Sequence, residues 1–217
     1  MSSELLPSER ARFEEVCRLG RDQLEQVATT IALGFADDPI FKWIFGVHEG
    51  KEPLSLELGL ALARVIAANT TPVDEIHGFR DHSCVALWRA PVSLVTPEIE
   101  AFNTELHMSC VERYVEINSA RLSLTSEFSD ALHAQRPDEE HWYLSTFATR
   151  PDRQGQGLGG RVITAMLERS DQLGIPTYLE SSNPRNHAFY LRHGYEDRGE
   201  FRAAGSPPMM RFFRPSR

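Results

Sequence analysis

Residues 150–160 read Arg-Pro-Asp-Arg-Gln-Gly-Gln-Gly-Leu-Gly-Gly, so Gly155, Gly157, Gly159 and Gly160 crowd into six positions. A strand-like run, Trp142, Tyr143, Leu144, Ser145, Thr146 and Phe147, precedes them. Leu158, Val162, Ile163, Met166 and Leu167 follow at helical spacing. Glycine lets backbone N–H groups approach an anion with no Cβ in the way. A helix N-terminus adds unpaired donors and about half a positive charge. A glycine-rich loop between a strand and a helix is therefore suited to cradle a phosphate or pyrophosphate; the plainer alternative is a flexible connection. Further along, Asn186 and Tyr190 stand four residues apart in a helical pattern and share one face. They bring an amide for hydrogen bonding and a phenol that keeps its proton at neutral pH, its ordinary pKa being about 10.

Three phosphate-binding loops compete for these glycines. The nucleotide P-loop needs Gly-Lys-Ser/Thr at its end, and here Gly160 runs into Arg161 and Val162. Gly155-x-Gly157-x-x-Gly160 matches the dinucleotide fingerprint literally, and Glu180 closes the next strand where a ribose-binding acid would sit. That fingerprint turns directly off its strand, whereas residues 150–154 intervene here, and the chain left after the loop is too short for a doubly wound sheet. The third reading is carried by Gln154-Gly155-Gln156-Gly157-Leu158-Gly159. It resembles the Gln/Arg-x-x-Gly-x-Gly/Ala acyl-CoA loop of the Gcn5-related N-acetyltransferases (GNAT). Thr149-Arg150-Pro151 before it resembles that family's Val-x-Pro strand end. Asn186-His-Ala188-Phe-Tyr190-x-x-His-Gly194-Tyr195 resembles its Asn-x-x-x-Tyr-x-x-x-Gly-Phe. The resemblance is strongest over residues 141–197. It extends to Asp38-Pro39 with Trp43, to Val85-Ala-Leu-Trp88 and to Leu179-Glu180, which look like the branch containing puromycin-type acetyltransferases.

The resemblance implies an α/β fold: a single GNAT-like domain over residues 1–217, with a mixed central sheet splayed between its fourth and fifth strands and flanked by helices. Acetyl-CoA would be the cosubstrate, wedged into the gap. Its pyrophosphate would lie on Gln154, Gly155, Gln156, Gly157, Leu158, Gly159 and Gly160, with Thr149 at the adjoining strand end. Asn186 would bond the amides of the pantetheine arm, a backbone N–H near Phe147 would hold the oxyanion, and Tyr190 would protonate the departing thiolate. The acceptor implied is a primary amine of a small molecule, attacking the thioester directly. An acyl-CoA sensor or scaffold that performs no transfer is the competing function.

The general base is the weakest part of the pattern. Some family members carry a Glu on the fourth strand, six residues before the Val of Val-x-Pro; counting back from Thr149, that position is Tyr143. His141, two residues earlier, shares its strand face, and its ordinary pKa of about 6.5 suits a base near neutrality. A water relay from Glu139 or Glu140, with His141 merely structural, is the alternative.

The elements that must position these residues can be read from periodicity. A strand is expected near residues 15–19, and Leu24, Val27, Ala28, Ile31 and Phe35 mark a helix. Asp37-Asp38-Pro39 breaks it and a short helix follows; Leu58, Leu62, Val65 and Ile66 mark another. Residues 73–79 and 83–89 read as a hairpin. Residues 97–136 read as mostly helical, with Phe102, Leu106, Cys110, Tyr114 and Ile117 on one stripe. The helix after the loop should stop at Gly174, ahead of Pro176, and a strand over Thr177–Ser181 follows. Asn183-Pro184 reads as an N-cap with proline at the first helical position, and Tyr195 as the start of another strand. Residues 21–136 supply the acceptor side, where Phe41, Trp43, Phe45, Trp88 and Tyr114 are candidate lining or core.

Composition narrows the classes. Of 217 residues, 41% are hydrophobic and 25% charged, as in ordinary globular proteins. The net charge of −8 and the absence of a basic run argue against a nucleic-acid partner; an acidic body steers cations. Residues 1–7 lack the basic start and apolar core of a signal peptide, and Arg64 interrupts the most apolar stretch, so no membrane partner is expected. Cys17, Cys84 and Cys110 are scattered and odd in number, which fits a reducing cytoplasm and no metal site. The histidines, among them His48, His77, His82, His107 and His133, show no ligand spacing. Association into a homodimer is left open.

Overall fold

Seven strands form one sheet in the order β1-β2-β3-β4-β5-β7-β6. They are β1 (Val16–Arg18), β2 (Glu75–Phe79), β3 (Cys84–Arg89), β4 (Trp142–Thr149), β5 (Thr177–Ser181), β6 (Glu196–Phe201) and β7 (Met209–Arg214). The computed structural model describes residues 15–47, 52–102 and 105–217; residues 1–7 and His48 lie outside them. The main helices are α1 (Leu24–Gly34), α2 (Pro39–Ile44), α3 (Leu56–Ala68), α4 (Glu105–Asn118), α5 (Leu122–Ala134), α6 (Leu158–Leu173) and α7 (His187–Arg192), with a single helical turn at Pro97–Glu100 ahead of α4. No described helix is long and apolar enough to cross a membrane.

Each face of the sheet buries an apolar layer. On one face α1 and α3 pack Val27, Ile31 and Ala63 against Val85, Leu87 and Ala148. On the other, α6 packs Val162, Ile163 and Met166 against Trp88, Trp142, Leu144 and Leu179. Strand residues alternate between the two layers, as a period of two requires. At about 1.5–3 kcal/mol for each fully buried large apolar side chain, these layers hold the strands at fixed positions around the site.

Two irregularities open the sheet at its centre. The β3–β4 register jumps from Leu87↔Thr146 to Trp88↔Leu144, leaving Ser145 as the extra residue of a β-bulge. The parallel β4–β5 pairing covers only Trp142↔Thr177, Tyr143↔Tyr178 and Leu144↔Leu179. Beyond them β5 continues along β7 as far as Ser181↔Met210, while β4 continues along β3. The strands part where the bulge begins, so the expected mixed, splayed, helix-flanked α/β sheet is what the chain forms.

The differences from expectation are local. Strand β2 starts at Glu75 and not at residue 73. The Asp74 carboxylate accepts hydrogen bonds from the Thr71 and Ala90 N–H groups at 2.7 and 2.8 Å and holds that corner. The region 97–136 breaks at a 3-10 turn, Ser119–Arg121, between α4 and α5. Strand β7, formed from the C-terminal Met209–Arg214, inserts between β5 and β6.

Candidate active site

The loop folds as its glycines dictate. Gly155 and Gly157 have φ of +72° and +76°, a region L side chains rarely adopt, and a Cβ at either would meet nothing within 4 Å. The space over the loop is therefore open, and Gly157 is the N-cap of α6. Leu158 turns inward and is buried in the α6 layer, anchoring the helix start. Gly159 passes 3.4 Å from the Phe147 ring by its would-be Cβ, and Gly160 lies 3.6 Å from His193 Nε2 on the same measure. The Gln154 amide donates to the Thr149 carbonyl at 3.2 Å, tying the loop to the end of β4. Gln156 is exposed and accepts from Arg153 Nε at 3.1 Å. The Thr149 hydroxyl points elsewhere, towards Cys84 Sγ at 3.2 Å. At the far end of α6, Gly174 takes φ +68° as the stop.

From Gln154, where this loop begins, a cavity of about 1770 Å³ runs through the gap between β4 and β5 to the opposite side of the sheet; Thr149 and residues 155–160 do not line it. Gln154, Phe147, Asn186 and Tyr190 line it, so these four candidates are brought together. Asn183 caps the turn that precedes α7, accepting from Arg185 N–H at 3.0 Å, and thereby sets where Asn186 and Tyr190 stand. Tyr190 is buried among Phe189, Tyr195 and Phe212 on the α6 side. Burial pushes its phenol far above the ordinary value, the Asp38 charge adds to the rise, and hydrogen bonding with Ser181 opposes it. Its proton is therefore retained throughout the physiological range, available to a charge that develops in the same dry space.

Asp38, read in the sequence as a helix breaker and as part of the Asp38-Pro39 resemblance, has a structural place beside the site. It is the N-cap of α2, accepting from the Ile40 and Phe41 N–H groups at 2.9 and 3.2 Å. The Ser182 hydroxyl donates to its other oxygen at 2.5 Å, which clasps α2 to the end of β5 beside Tyr190. Burial raises the Asp38 pKa, and the three hydrogen bonds hold it back.

On the other side of the gap the candidates disperse. The cavity wall there includes Phe41, Leu62, Ile66, Tyr114 and Leu132. Of the remaining aromatic candidates, Trp43 packs on Phe128, Phe45 packs edge-on to Tyr114, and Trp88 is fully buried in the α6 layer. His141 does not line the cavity. Its ring meets the edge of Tyr178 at 5.4 Å and its Nδ1 lies 2.6 Å from the Glu139 carbonyl, an acceptor that fixes the proton on Nδ1. Burial lowers its pKa. Glu140 instead accepts from Ser93 N–H at 2.9 Å.

A carboxylate the sequence reading set aside does reach the cavity. Leu179 faces the α6 layer, so its neighbour Glu180 faces the opposite side, where Tyr143 and Tyr178 stack at 6.2 Å. Its Oε1 is buried and has no hydrogen-bond partner. Burial pushes the Glu180 carboxyl up to about 7, against hydrogen bonding from Tyr143 and Tyr178 and the charge of Arg136. Only the parallel register joins Tyr143 to Tyr178 and so to Glu180, which is why the sequence alone did not connect them.

Among the described residues no group of His, Cys, Asp and Glu is arranged to hold a metal. Burial raises the pKa of all three thiols, that of Cys84 to about 11.

Comparison with known proteins agrees with this architecture. The Acetyltransferase (GNAT) family model matches residues 121–195. An uncharacterized N-acetyltransferase of Schizosaccharomyces pombe is 23% identical over 184 residues, covering 82% of this chain and 72% of its own length. The same fold occurs in a Corynebacterium glutamicum structure described as a histone acetyltransferase HPA2 and related acetyltransferase, with a TM-score of 0.64 at 22% identity, covering 93% of this chain and 96% of that one. It occurs also in the C-terminal condensation domain of Ebony in complex with beta-alanyl-dopamine, with a TM-score of 0.56 at 9% identity, covering 93% and 98%. Residues 121–195, which carry β4, the glycine loop, α6, β5 and α7, are thus the segment that resembles the GNAT family, and the fold as a whole is shared with solved acetyltransferases.

Proposed function

We propose that the protein transfers an acetyl group from acetyl-CoA to a primary amine of a small molecule. One observation carries this reading: the cavity extends from Gln154, where the glycine loop begins, past Phe147, Asn186 and Tyr190 at the gap, and its far half is lined by side chains of α2, α3, α4 and α5. A concave chamber with apolar side chains and a few convergent polar groups suits a small acceptor.

The residues present suit the cosubstrate. The open space above Gly155 and Gly157, at the start of α6, accommodates a pyrophosphate. Gln154, Gln156, Leu158, Gly159, Gly160 and Thr149 shape that cradle, and Asn186 stands where an amide-bearing arm would pass. The part of β4 after the bulge, around Phe147, loses its β5 partner, so its backbone N–H groups suit an oxyanion. Tyr190 supplies the proton to the leaving thiolate. The raised pKa of all three thiols, and the burial of Cys84, favour direct attack by the amine over a covalent enzyme intermediate. Holding both reactants at the gap contributes roughly 7–11 kcal/mol to lowering the barrier in favourable cases.

Acetyl-CoA is expected to raise the melting temperature with its concentration, since a ligand of the native state stabilises by mass action. In the same buffer, an amine panel of spermidine, tryptamine and puromycin should contain at least one acceptor that releases thiol from acetyl-CoA. Protection without thiol release, across an unbiased acceptor screen read by mass spectrometry, would favour the acyl-CoA sensor instead.

A further inference from the structure

Glu180 is only partly engaged: Tyr143 and Tyr178 hydrogen-bond its carboxyl, but its Oε1 has no partner. Other buried carboxylates of the described residues are engaged: Asp38 caps α2 and holds Ser182, Asp74 holds two N–H groups and Arg89, and Glu75 meets His77 and Arg169 at 2.8 and 2.9 Å. A buried carboxylate oxygen left unpaired costs stability, typically more than a neutral group would, yet Glu180 Oε1 is left so at the wall of the cavity. Its surroundings restrain it without neutralising it. Tyr143 and Tyr178 flank it, the Arg136 guanidinium lies 3.9 Å over the Tyr143 ring, and Arg211 is turned away to Gln135 and the Arg198 carbonyl. Tyr190 belongs to the α6 side of the same gap. A proton donor and a proton acceptor thus face one opening from opposite sides of the sheet.

We propose that Glu180 is the proton acceptor for the ammonium group of the acceptor, a role that rests on the acetyl-transfer reading above. The acceptor arrives as an ammonium ion and gives one proton to the Glu180 carboxylate, which passes it to solvent. The neutral nitrogen bonds to the thioester carbonyl carbon and the C–S bond breaks. Sulfur takes a proton from Tyr190, and the second proton lost by nitrogen restores that phenol through solvent. An amide, a free thiol and one released proton result. His141, its Nδ1 proton held by a carbonyl and its ring against Tyr178, shapes the wall behind Glu180 and takes no proton from the acceptor.

The test is the pH dependence of kcat/KM with whichever amine of the panel the wild type acetylates. The acceptor carboxylate works ionised, so wild-type activity should fall as pH drops through about 7. Glu180→Gln should keep its affinity for acetyl-CoA by calorimetry, lose about 10²–10⁴-fold in kcat/KM, and lose that acid limb. A weakly basic arylamine, already neutral, should be acetylated nearly as well by the variant as by the wild type. Arg136→Gln is an independent arm: removing the charge that holds the carboxyl down should move the acid limb to higher pH. A Glu180→Gln profile like the wild type's, or an Arg136→Gln limb that does not move, overturns the assignment. Loss of the limb in His141→Ala with its retention in Glu180→Gln transfers the role to His141. A wild type that binds acetyl-CoA and acetylates nothing overturns the parent reading; an active wild type with an indifferent Glu180 overturns this inference alone.

Discussion

Tyr190→Phe should fold, bind acetyl-CoA as the wild type does, and lose about 10²–10⁴-fold in turnover, the usual contribution of a positioned general acid. The substitution removes one oxygen and keeps the ring, which packs between Tyr195 and Phe212 at centroid distances of 5.8 and 5.1 Å. The van der Waals contacts of the core layer therefore survive. What is lost is the only proton Tyr190 can give. Because burial and Asp38 both raise its pKa, the phenol does not dissociate under assay conditions, and the loss should be independent of pH from neutrality upward. Single-turnover kinetics with pre-bound acetyl-CoA separate chemistry from binding. Turnover equal to wild type would remove Tyr190 from the mechanism. A fall in melting temperature large enough to account for the lost activity would reduce it to a packing residue.

The second large effect is expected at Gly157. Gly157→Asp places a carboxylate where no atom now lies within 4 Å of the added Cβ, at φ +76°. Aspartate tolerates the left-handed region better than most residues, and a negative charge at the start of α6 opposes no helix dipole. The fold should therefore persist with little change in melting temperature. Two like charges about 4 Å apart repel by about 4 kcal/mol at an interfacial effective dielectric. Part of that is screened, so acetyl-CoA affinity should fall about a hundredfold by calorimetry, each tenfold being about 1.4 kcal/mol. Gly157→Ala separates strain from charge: it should bind far better than the aspartate. Unchanged affinity in a folded Gly157→Asp protein would place the pyrophosphate elsewhere.

What could be read in the sequence was set by local forces. Gly155, Gly157 and Gly174 demand positive φ, Asn183 demands a cap, and Leu158, Val162, Ile163 and Met166 demand one buried face. Each of these constraints acts within a turn or two of chain, and the loop, α6, β5 and the placement of Asn186 and Tyr190 followed from them. The harder parts were pairings between distant segments. Nothing near Met209–Arg214 indicates that it slots between β5 and β6. Tyr143 could be recognised as the wrong residue for a strand-borne carboxylate, but the carboxylate itself stands on the neighbouring strand, reached only by the Tyr143↔Tyr178 register. Trp43 and Trp88 looked like candidates for a ligand chamber because aromatic residues serve both cores and pockets; packing assigned them to the core.

The short β4–β5 pairing has a mechanical consequence. Seven strands share one sheet, yet its first four are joined to its last three through the three residue pairs between Trp142–Leu144 and Thr177–Leu179. That seam is a waist, bridged on one face by α6 and clasped at its mouth by the Ser182–Asp38 contact. Any molecule lodged in the gap touches both halves and acts as a cross-brace. A sheet joined so narrowly should resist opening more with the gap filled than with it empty, since a ligand that binds the closed arrangement stabilises it by mass action.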